Sequence, residues 1–212
     1  MTFTSSAISA QGSNFKIATG SGGAVSVTGV SVGYPTIITA TGINNGDVVS
    51  FAGLTGADAA MLNGSSQVAK YSTGTKFAVD VDTTGKTITA AGNVTPVAYT
   101  RIANLKDYSG LDGSASDIDI THLESAAKEF RAGLVDNGGF TVNVDLDNAD
   151  AGQLAVRAAQ VSGATKNFKL TLPNGNVASF AGYIKKFGAA GAVDGVVKSA
   201  IEVKITGAVT WA

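Results

Sequence analysis

Three features of the 212-residue sequence predict a mainly β fold. The form expected is an antiparallel sandwich or barrel with one or two short helices, plus a small inserted all-β domain. Glycine is abundant at 27 residues, whereas proline is held to 3. Thr, Ser, Ala and Val fill much of the rest, which suits short strands joined by glycine turns. Apolar and polar residues also alternate along several C-terminal stretches, as strands with one buried and one wet face do.

Charge divides the chain. Residues 1–96 hold four basic and four acidic side chains, and residues 97–212 hold the other eleven and twelve. The run Gly20-Ser21-Gly22-Gly23 reads as a flexible joint, and Thr95-Pro96 as a second one, because proline lacks a ladder donor. Between them, Val25, Val27, Val30 and Val32, then 36–39, 48–51, 67–71, 76–81 and 86–90 read as short strands. Asn44-Asn45-Gly46-Asp47 and Thr84-Gly85 supply turns. The expected organisation is a discontinuous core, 1–23 with 97–212, interrupted by an inserted β domain over 24–96.

The C-terminal part alternates more regularly. Phe140, Val142, Val144 and Leu146 share one face. Phe168, Leu170 and Leu172 share another, before the hairpin turn Pro173-Asn174-Gly175-Asn176. A return strand is expected over 177–187, and Ile201, Val203 and Ile205 mark the last strand, ending near Trp211. Two helices are expected. Thr121-x-x-Glu124 fits a capping box ahead of Leu123, Ala127, Phe130 and Leu134, predicting a helix over 122–131. The second spans 147–162, with Asp147 as cap, Asp150 in the first turn, Gly163 beyond its end, and a packing stripe of Ala151, Leu154, Ala158 and Val161.

Little in the sequence offers chemistry. There is no cysteine, which removes disulfide frameworks, zinc ribbons and thiol nucleophiles. The one histidine, His122, excludes sites that need two imidazoles and reads as a surface residue. Fifteen basic against sixteen acidic residues lack the basic bias of a protein that grips phosphates. The first residues show no basic-then-apolar leader pattern, and no apolar run reaches membrane-spanning length. Gly85-Lys86-Thr87 imitates the end of a phosphate loop, but Asp80 stands where that loop needs glycine. Asp145-Leu146-Asp147-Asn148-Ala149-Asp150 lacks the glycine and ligand spacing of a calcium loop. Paired-carboxylate glycoside chemistry, with Asp117 or Asp119, would want a more aromatic cleft than 7% aromatics supply. No catalytic residue, metal site or cofactor is expected.

Residues 101–119 have weak periodicity and are long for a connection. They read as a loop that is mobile in the monomer and orders on meeting a partner.

Several segments, in order, carry a family resemblance. They are Ala10-Gln-Gly12-Ser-Asn-Phe-Lys-Ile17, Ser116-Asp-Ile-Asp-Ile-Thr121 and Lys128-Glu-Phe-Arg-Ala-Gly133-Leu-Val-Asp136. The alternating strand 140–146, the helix 147–162, the hairpin at Asn174-Gly175 and the closing Ile205-Thr-Gly207-Ala-Val209 complete the set. Together, over about 140 residues, they resemble the tail tube protein of long-tailed, non-contractile bacteriophages of the lambda-like type. Within the interruption, Ala40-Thr-Gly42-Ile-Asn-Asn-Gly46-Asp47-Val-Val, Leu62-Asn63-Gly64 and Thr75-Lys-Phe77 resemble the small β-barrel half-domain of ubiquitin-activating enzymes, here without its cysteine.

The resemblance implies a structural virion protein, made in the host bacterial cytoplasm. Its rings, six-fold in the family, stack into a tube around a tape-measure protein and conduct DNA during ejection. Tail-tip and tail-terminator proteins are implied partners, and double-stranded DNA a transient, non-specific one. Candidate ring-stacking residues are Asn104, Lys106, Asp107, Tyr108, Asp112 and Asp117; candidate inter-subunit contacts are Asp119, Thr121, Phe130, Arg131 and Leu134. The competing readings are a non-assembling β-rich binding module and another tail part, such as a terminator, tip or decoration protein.

Overall fold

A computed structural model of the chain describes residues 7–212. Residues 1–6, on which the leader reading partly rests, lie outside the described residues. The N-terminal part holds β1 (Asn14–Ser21), β2 (Val25–Ser26), β3 (Gly29–Ser31), β4 (Thr36–Thr39), β5 (Val48–Ala52), β6 (Ser66–Val68) and β7 (Lys76–Val79). The chain continues with β8 (Asn93–Arg101), β9 (Leu105–Gly110), β10 (Ser114–Asp119), β11 (Phe130–Asp136) and β12 (Gly139–Asp145). Helix α1 (Ala151–Ser162) then precedes β13 (Lys166–Thr171), β14 (Val177–Ala190) and β15 (Lys198–Trp211).

Ten strands share one sheet, in the order β6-β5-β8-β1-β13-β14-β15-β12-β9 with β2 beside β8. The described strands form no closed barrel, because the path has two ends, β6 and β9. Beside the sheet lie a three-stranded sheet, β3-β4-β7, and a two-stranded ribbon, β10-β11.

Two apolar clusters fill the molecule. One gathers Phe15, Phe140, Phe168 and Phe180 with the inward residues of β12 to β15 and Val156 of α1. Phe15 is fully buried, its ring 5.0 Å from Phe140 and 5.6 Å from Phe168 between centroids. Offset and tilted aromatic packing of this kind adds to area burial. The other cluster draws on residues from Val27 to Val94, with Phe51 stacked on Phe77 at 6.3 Å.

Thr95-Pro96 lies inside a strand, β8, and is not the flexible joint expected there, while of the Gly20–Gly23 run the first two residues belong to β1 and Gly22-Gly23 lead from β1 to β2. β8 pairs with β5 through Pro96 and with β1 from Val97 onward. Proline is tolerated because it sits where β8 changes partner. Ser21 pairs with Val97, and the Gly22 N–H donates to the Pro96 carbonyl at 2.7 Å, so the glycine run is tied into the same ribbon.

A polar clamp joins the clusters a second time. Lys169 of β13 places Nζ 2.7 Å from Asp47 Oδ1, with both side chains largely shielded from water. Asp47 Oδ2 also accepts the Asn44 N–H, closing the turn, and Ser179 Oγ donates to the Gly46 carbonyl at 2.6 Å. Gly46 has φ +73, and a Cβ there would collide with Val177 of β14. Two requirements, a left-handed backbone and contact with β14, therefore demand glycine. Burial first, and the Asp47 charge second, push the adjacent Tyr99 phenol well above its ordinary pKa.

Helix α1 forms where expected, but its cap and its buried face differ from expectation. Asp150, not Asp147, is the N-cap and accepts the Gln153 N–H at 2.8 Å, and Gly163 ends the helix in a left-handed conformation. The buried residues are Gly152, Gln153, Val156 and Ala159, while Ala151, Leu154, Ala158 and Val161 face outward. Gly152 lies against the Arg101 carbonyl, where any Cβ would clash. Gln153 Nε2 donates to the carbonyls of Asp145 and Ala103, and its Oε1 accepts the Asp147 N–H. Helix orientation is thus set by close approach and by satisfying loop backbone, outweighing the burial of Leu154 and Val161.

Candidate assembly surface

The helix expected over 122–131 and the loose loop over 101–119 are both absent. Residues 105–110 and 114–119 are strands, and residues 114–136 make a β-arm, β10 and β11 paired from Ser114↔Asp136 to Asp119↔Phe130. Thr121 serves the arm tip, not a helix cap: the Glu129 N–H donates to Thr121 Oγ1 at 3.0 Å, and the Ile120 N–H to the Glu129 carbonyl at 3.0 Å. His122 Nδ1 and Ser125 Oγ share a hydrogen bond of 2.8 Å across the turn. An amphipathic helix needs a core to receive its apolar stripe, and none is present here. Leu123, Phe130 and Leu134 are all exposed, Leu123 completely.

The arm leaves the body between β9 and β12 and packs chiefly on itself, since β10 and β11 contribute nothing to either core cluster. Six residues of β10 span about 20 Å at strand rise. Both faces are mixed. Ile118 lies opposite Arg131, and Phe130 opposite Asp119. Ile118, Ile120, Leu123, Phe130, Leu134 and Val135 are exposed along one projecting element, a concentration of apolar surface that marks an interaction site.

The arm's root is pinned. Lys204 Nζ donates to both Asp136 oxygens at 2.7 and 2.8 Å, the Gly138 N–H donates to Asp136 Oδ1 at 2.9 Å, and Asn137 Nδ2 donates to the Gly207 carbonyl. Chiefly through the Lys204 hydrogen bond, the Asp136 carboxyl is held below its ordinary pKa. The same direction holds for Asp119, bonded by Thr121. A lowered folded-state pKa stabilises at pH values above the unfolded pKa, and the contribution disappears as pH falls through the folded one. The root should therefore be fully pinned at neutral pH and loosen below about pH 4. Faster amide exchange at Gly138 on the acid side checks this; exchange rates that follow only the intrinsic pH dependence contradict it.

The sequence-derived candidates fall into two groups that the fold keeps apart. Lys106, Asp107 and Tyr108 lie on β9, an end strand of the sheet, where Lys106 pairs with Asp145 at 2.7 Å, Asp107 accepts from Asn143 at 2.6 Å, and the Tyr108 hydroxyl meets Ser13 Oγ at 3.2 Å. Asn104 occupies the preceding turn with φ +60, its carbonyl accepting the Asp145 N–H. Asp112 sits at the arm root beside Gly138. Asp117, Asp119, Thr121, Phe130, Arg131 and Leu134 belong to the arm. Sequence reasoning missed Ile118, Ile120 and Val135 on the arm, and Val193, Val196 and Val197 beyond β14, which are exposed as well. The sign available was a valine-rich, glycine-broken stretch, Gly191-Ala192-Val193-Asp194-Gly195-Val196-Val197.

Among the described residues, no three His, Asp or Glu side chains converge as a metal site would require, and no helix is long and apolar enough to cross a membrane.

Comparison with solved structures finds thirteen similar chains, among them chains of a tail, a virion and a baseplate. The tail of an empty gene transfer agent particle with C6 symmetry is 22% identical, covers 54% of this chain and 86% of its own, and has a TM-score of 0.47. The virion of a native gene transfer agent particle gives 20% identity, 54% and 88% coverage, and 0.47. The baseplate of an anti-feeding prophage, six-fold symmetrised, gives 12%, 54% and 84%, and 0.44. No curated protein matches the sequence. The family model described as lambda phage tail tube protein matches residues 81–212, well over half of the sequence. The chain belongs to the lambda phage tail tube protein family.

Proposed function

We propose that this chain closes into six-subunit rings that stack into the tail tube of a phage-type virion, the conduit through which DNA is ejected. The protein is a structural component of the virion tail. The observation that carries the assembly reading is the β10–β11 arm, a ribbon outside both cores with exposed apolar residues on both strands. Such an element is costly to leave in water and gains by packing on another copy. Asp119, Thr121, Phe130, Arg131 and Leu134 are its inter-subunit contacts in this reading, and Asn104, Lys106, Asp107, Tyr108, Asp112 and Asp117 contribute to stacking.

An open sheet edge at β9 offers a neighbouring subunit unpaired backbone groups, so lateral closure across subunits would remove it. The balanced charge, 15 basic against 16 acidic, suits a channel that lets DNA pass without holding it. Residues 24–96 form an inserted domain carried on the outside of the tube. The tape-measure, tip and terminator proteins are the tube's partners, and the role is not enzymatic.

Electron microscopy of concentrated protein, with and without purified tail tips as seeds, tests the proposal. Hollow tubes with a stacked-ring repeat and six-fold end views are expected. Protein that stays monomeric at every concentration, seeded or not, overturns it in favour of a binding module. Single rings that never stack point instead to a terminator-like part.

A further inference from the structure

Three cations stand in one row across the large sheet, on the side away from its aromatic core. Lys16 of β1 lies directly opposite Lys169 of β13 on one flank and Arg101 of β8 on the other, so the three side chains leave the same face of adjacent strands. Phe15, Ile17, Phe168 and Leu170, which alternate with the two lysines, take the core face. The row spans two strand spacings, about 10 Å. Like charges placed directly opposite one another oppose strand pairing. One carboxylate answers them: Asp47, 2.7 Å from Lys169 Nζ. Lys16 and Arg101 have no ion-pair partner among the described residues. Three cations against one carboxylate leave a local surplus of two positive charges, in a chain whose totals of 15 and 16 nearly cancel.

A cleft of about 550 Å³ opens over this row, between Lys16, Tyr99, Lys169 and Thr171 of the sheet and the turns that carry Asn45 and Ser72. Its one carboxylate is already used, Asp47 Oδ1 by Lys169 and Oδ2 by the Asn44 N–H. Asn45 Oδ1 accepts the Ser72 N–H at 2.7 Å, which leaves its amide NH2 to donate. The groups left open are the Lys16 ammonium, the side-chain amides of Asn44 and Asn45, and the Thr171 hydroxyl. Burial, and then the Asp47 charge, keep the Tyr99 phenol protonated, so it adds no negative charge to the cleft. Open donors beside a positive surplus suit an anionic oxygen ligand.

We propose that this cleft binds a phosphate dianion, supplied as inorganic phosphate or as a small phosphate monoester, with Lys16 and the Asn45 amide as its contacts and Arg101 adding charge from the end of the row. A phosphate monoester carries about −1.5 to −2 charge at neutral pH, which matches the surplus. A ligand held between β1 and the Asn45 turn joins the same two parts as the Lys169–Asp47 clamp, so occupancy stabilises the docking of residues 24–96 on the sheet.

The site is independent of the tube reading and is tested on the dilute, unassembled full-length chain. Inorganic phosphate and glycerol 3-phosphate are titrated at constant ionic strength, with binding read by calorimetry and by backbone amide shifts. Saturable one-to-one binding is expected, with the largest shifts at Lys16, Asn45 and Thr171 and a rise in Tm. Lys16→Gln should weaken binding about tenfold or more, the scale of one charge-assisted hydrogen bond. Arg101 is exposed, so Arg101→Gln gives a second reading, a smaller loss of affinity, with no folding effect. Lys198→Gln, at the far end of β12 and β15, should leave affinity unchanged. Tighter binding of glycerol 3-phosphate names a monoester as the ligand, and equal binding names the free ion; either supports the site. Binding that never saturates, or that Lys198→Gln weakens as much as Lys16→Gln does, means diffuse charge screening and overturns it. Acetate binding as tightly as phosphate overturns the dianion assignment. Duplex DNA binding more tightly than glycerol 3-phosphate, with the same Lys16 dependence, replaces the small-molecule site with a nucleic-acid surface.

Discussion

On the proposed tube reading, replacing residues 114–134 by a short Gly-Ser link should yield a monomer that folds with native stability and does not form tubes. The reason lies in where the arm's residues are. None of them enters either core cluster, and β10 is exposed throughout. Deleting them removes no buried apolar area from the body, and lengthening or shortening such a connection changes closure entropy only slightly. The stability change should stay within about 1 kcal/mol, the scale of substitutions away from any packed feature. Assembly, in contrast, loses its largest exposed apolar element. The checks are a thermal melt of the monomer and negative-stain images at concentrations where the parent assembles. Abundant tubes from the deleted protein would show that the arm is dispensable and would sink the assembly reading of its residues. A collapse of the melt would show that the arm stabilises the body, against its place in the fold.

Lys169→Ala should be among the most destabilising single substitutions outside the aromatic core. It leaves the Asp47 carboxylate largely shielded from water and without its cation. Breaking one side of such a pair costs about 3–5 kcal/mol, although the intact pair is not itself a large net gain. For a chain of this length that corresponds to a fall of order 10 °C in Tm. The loss should concentrate on residues 24–96, because the clamp at Gly46 and Asp47 is one of two places where their cluster is held to the other. Limited proteolysis of the variant should cut there first. The double substitution Asp47→Leu with Lys169→Met should recover most of the loss, since well-packed apolar pairs often replace buried ion pairs without cost. A Tm unchanged in Lys169→Ala would mean that water reaches the pair in solution, and the clamp would then carry little energy.

Several elements were legible from residue order alone, for identifiable reasons. β12 and β15 announced themselves because each has one face in the core and one turned outward, so the two-residue period is written into the side chains. The Asn174-Gly175 hairpin and the Gly163 helix end were visible because both require a left-handed backbone, which few residues adopt without strain. β9, β10 and β11 were not, because both their faces are largely exposed and nothing forces alternation. The capping-box pattern at Thr121 is a real local preference, but it was outcompeted by backbone pairing across the ribbon. For α1, two faces of the helix each carry apolar residues. The choice went to the one with Gly152 and Gln153, whose glycine permits close approach and whose amide satisfies buried carbonyls.

By itself the sequence determined the β character, the position of the helix and the family. These depend on composition, short-range period and backbone permissions, all local quantities. Tertiary structure alone decided that residues 114–136 leave the body as an arm, and that Lys169 and Asp47, 122 positions apart, meet. Each of these comes from register and strand order, which bring together side chains whose separation in sequence carries no sign of their contact.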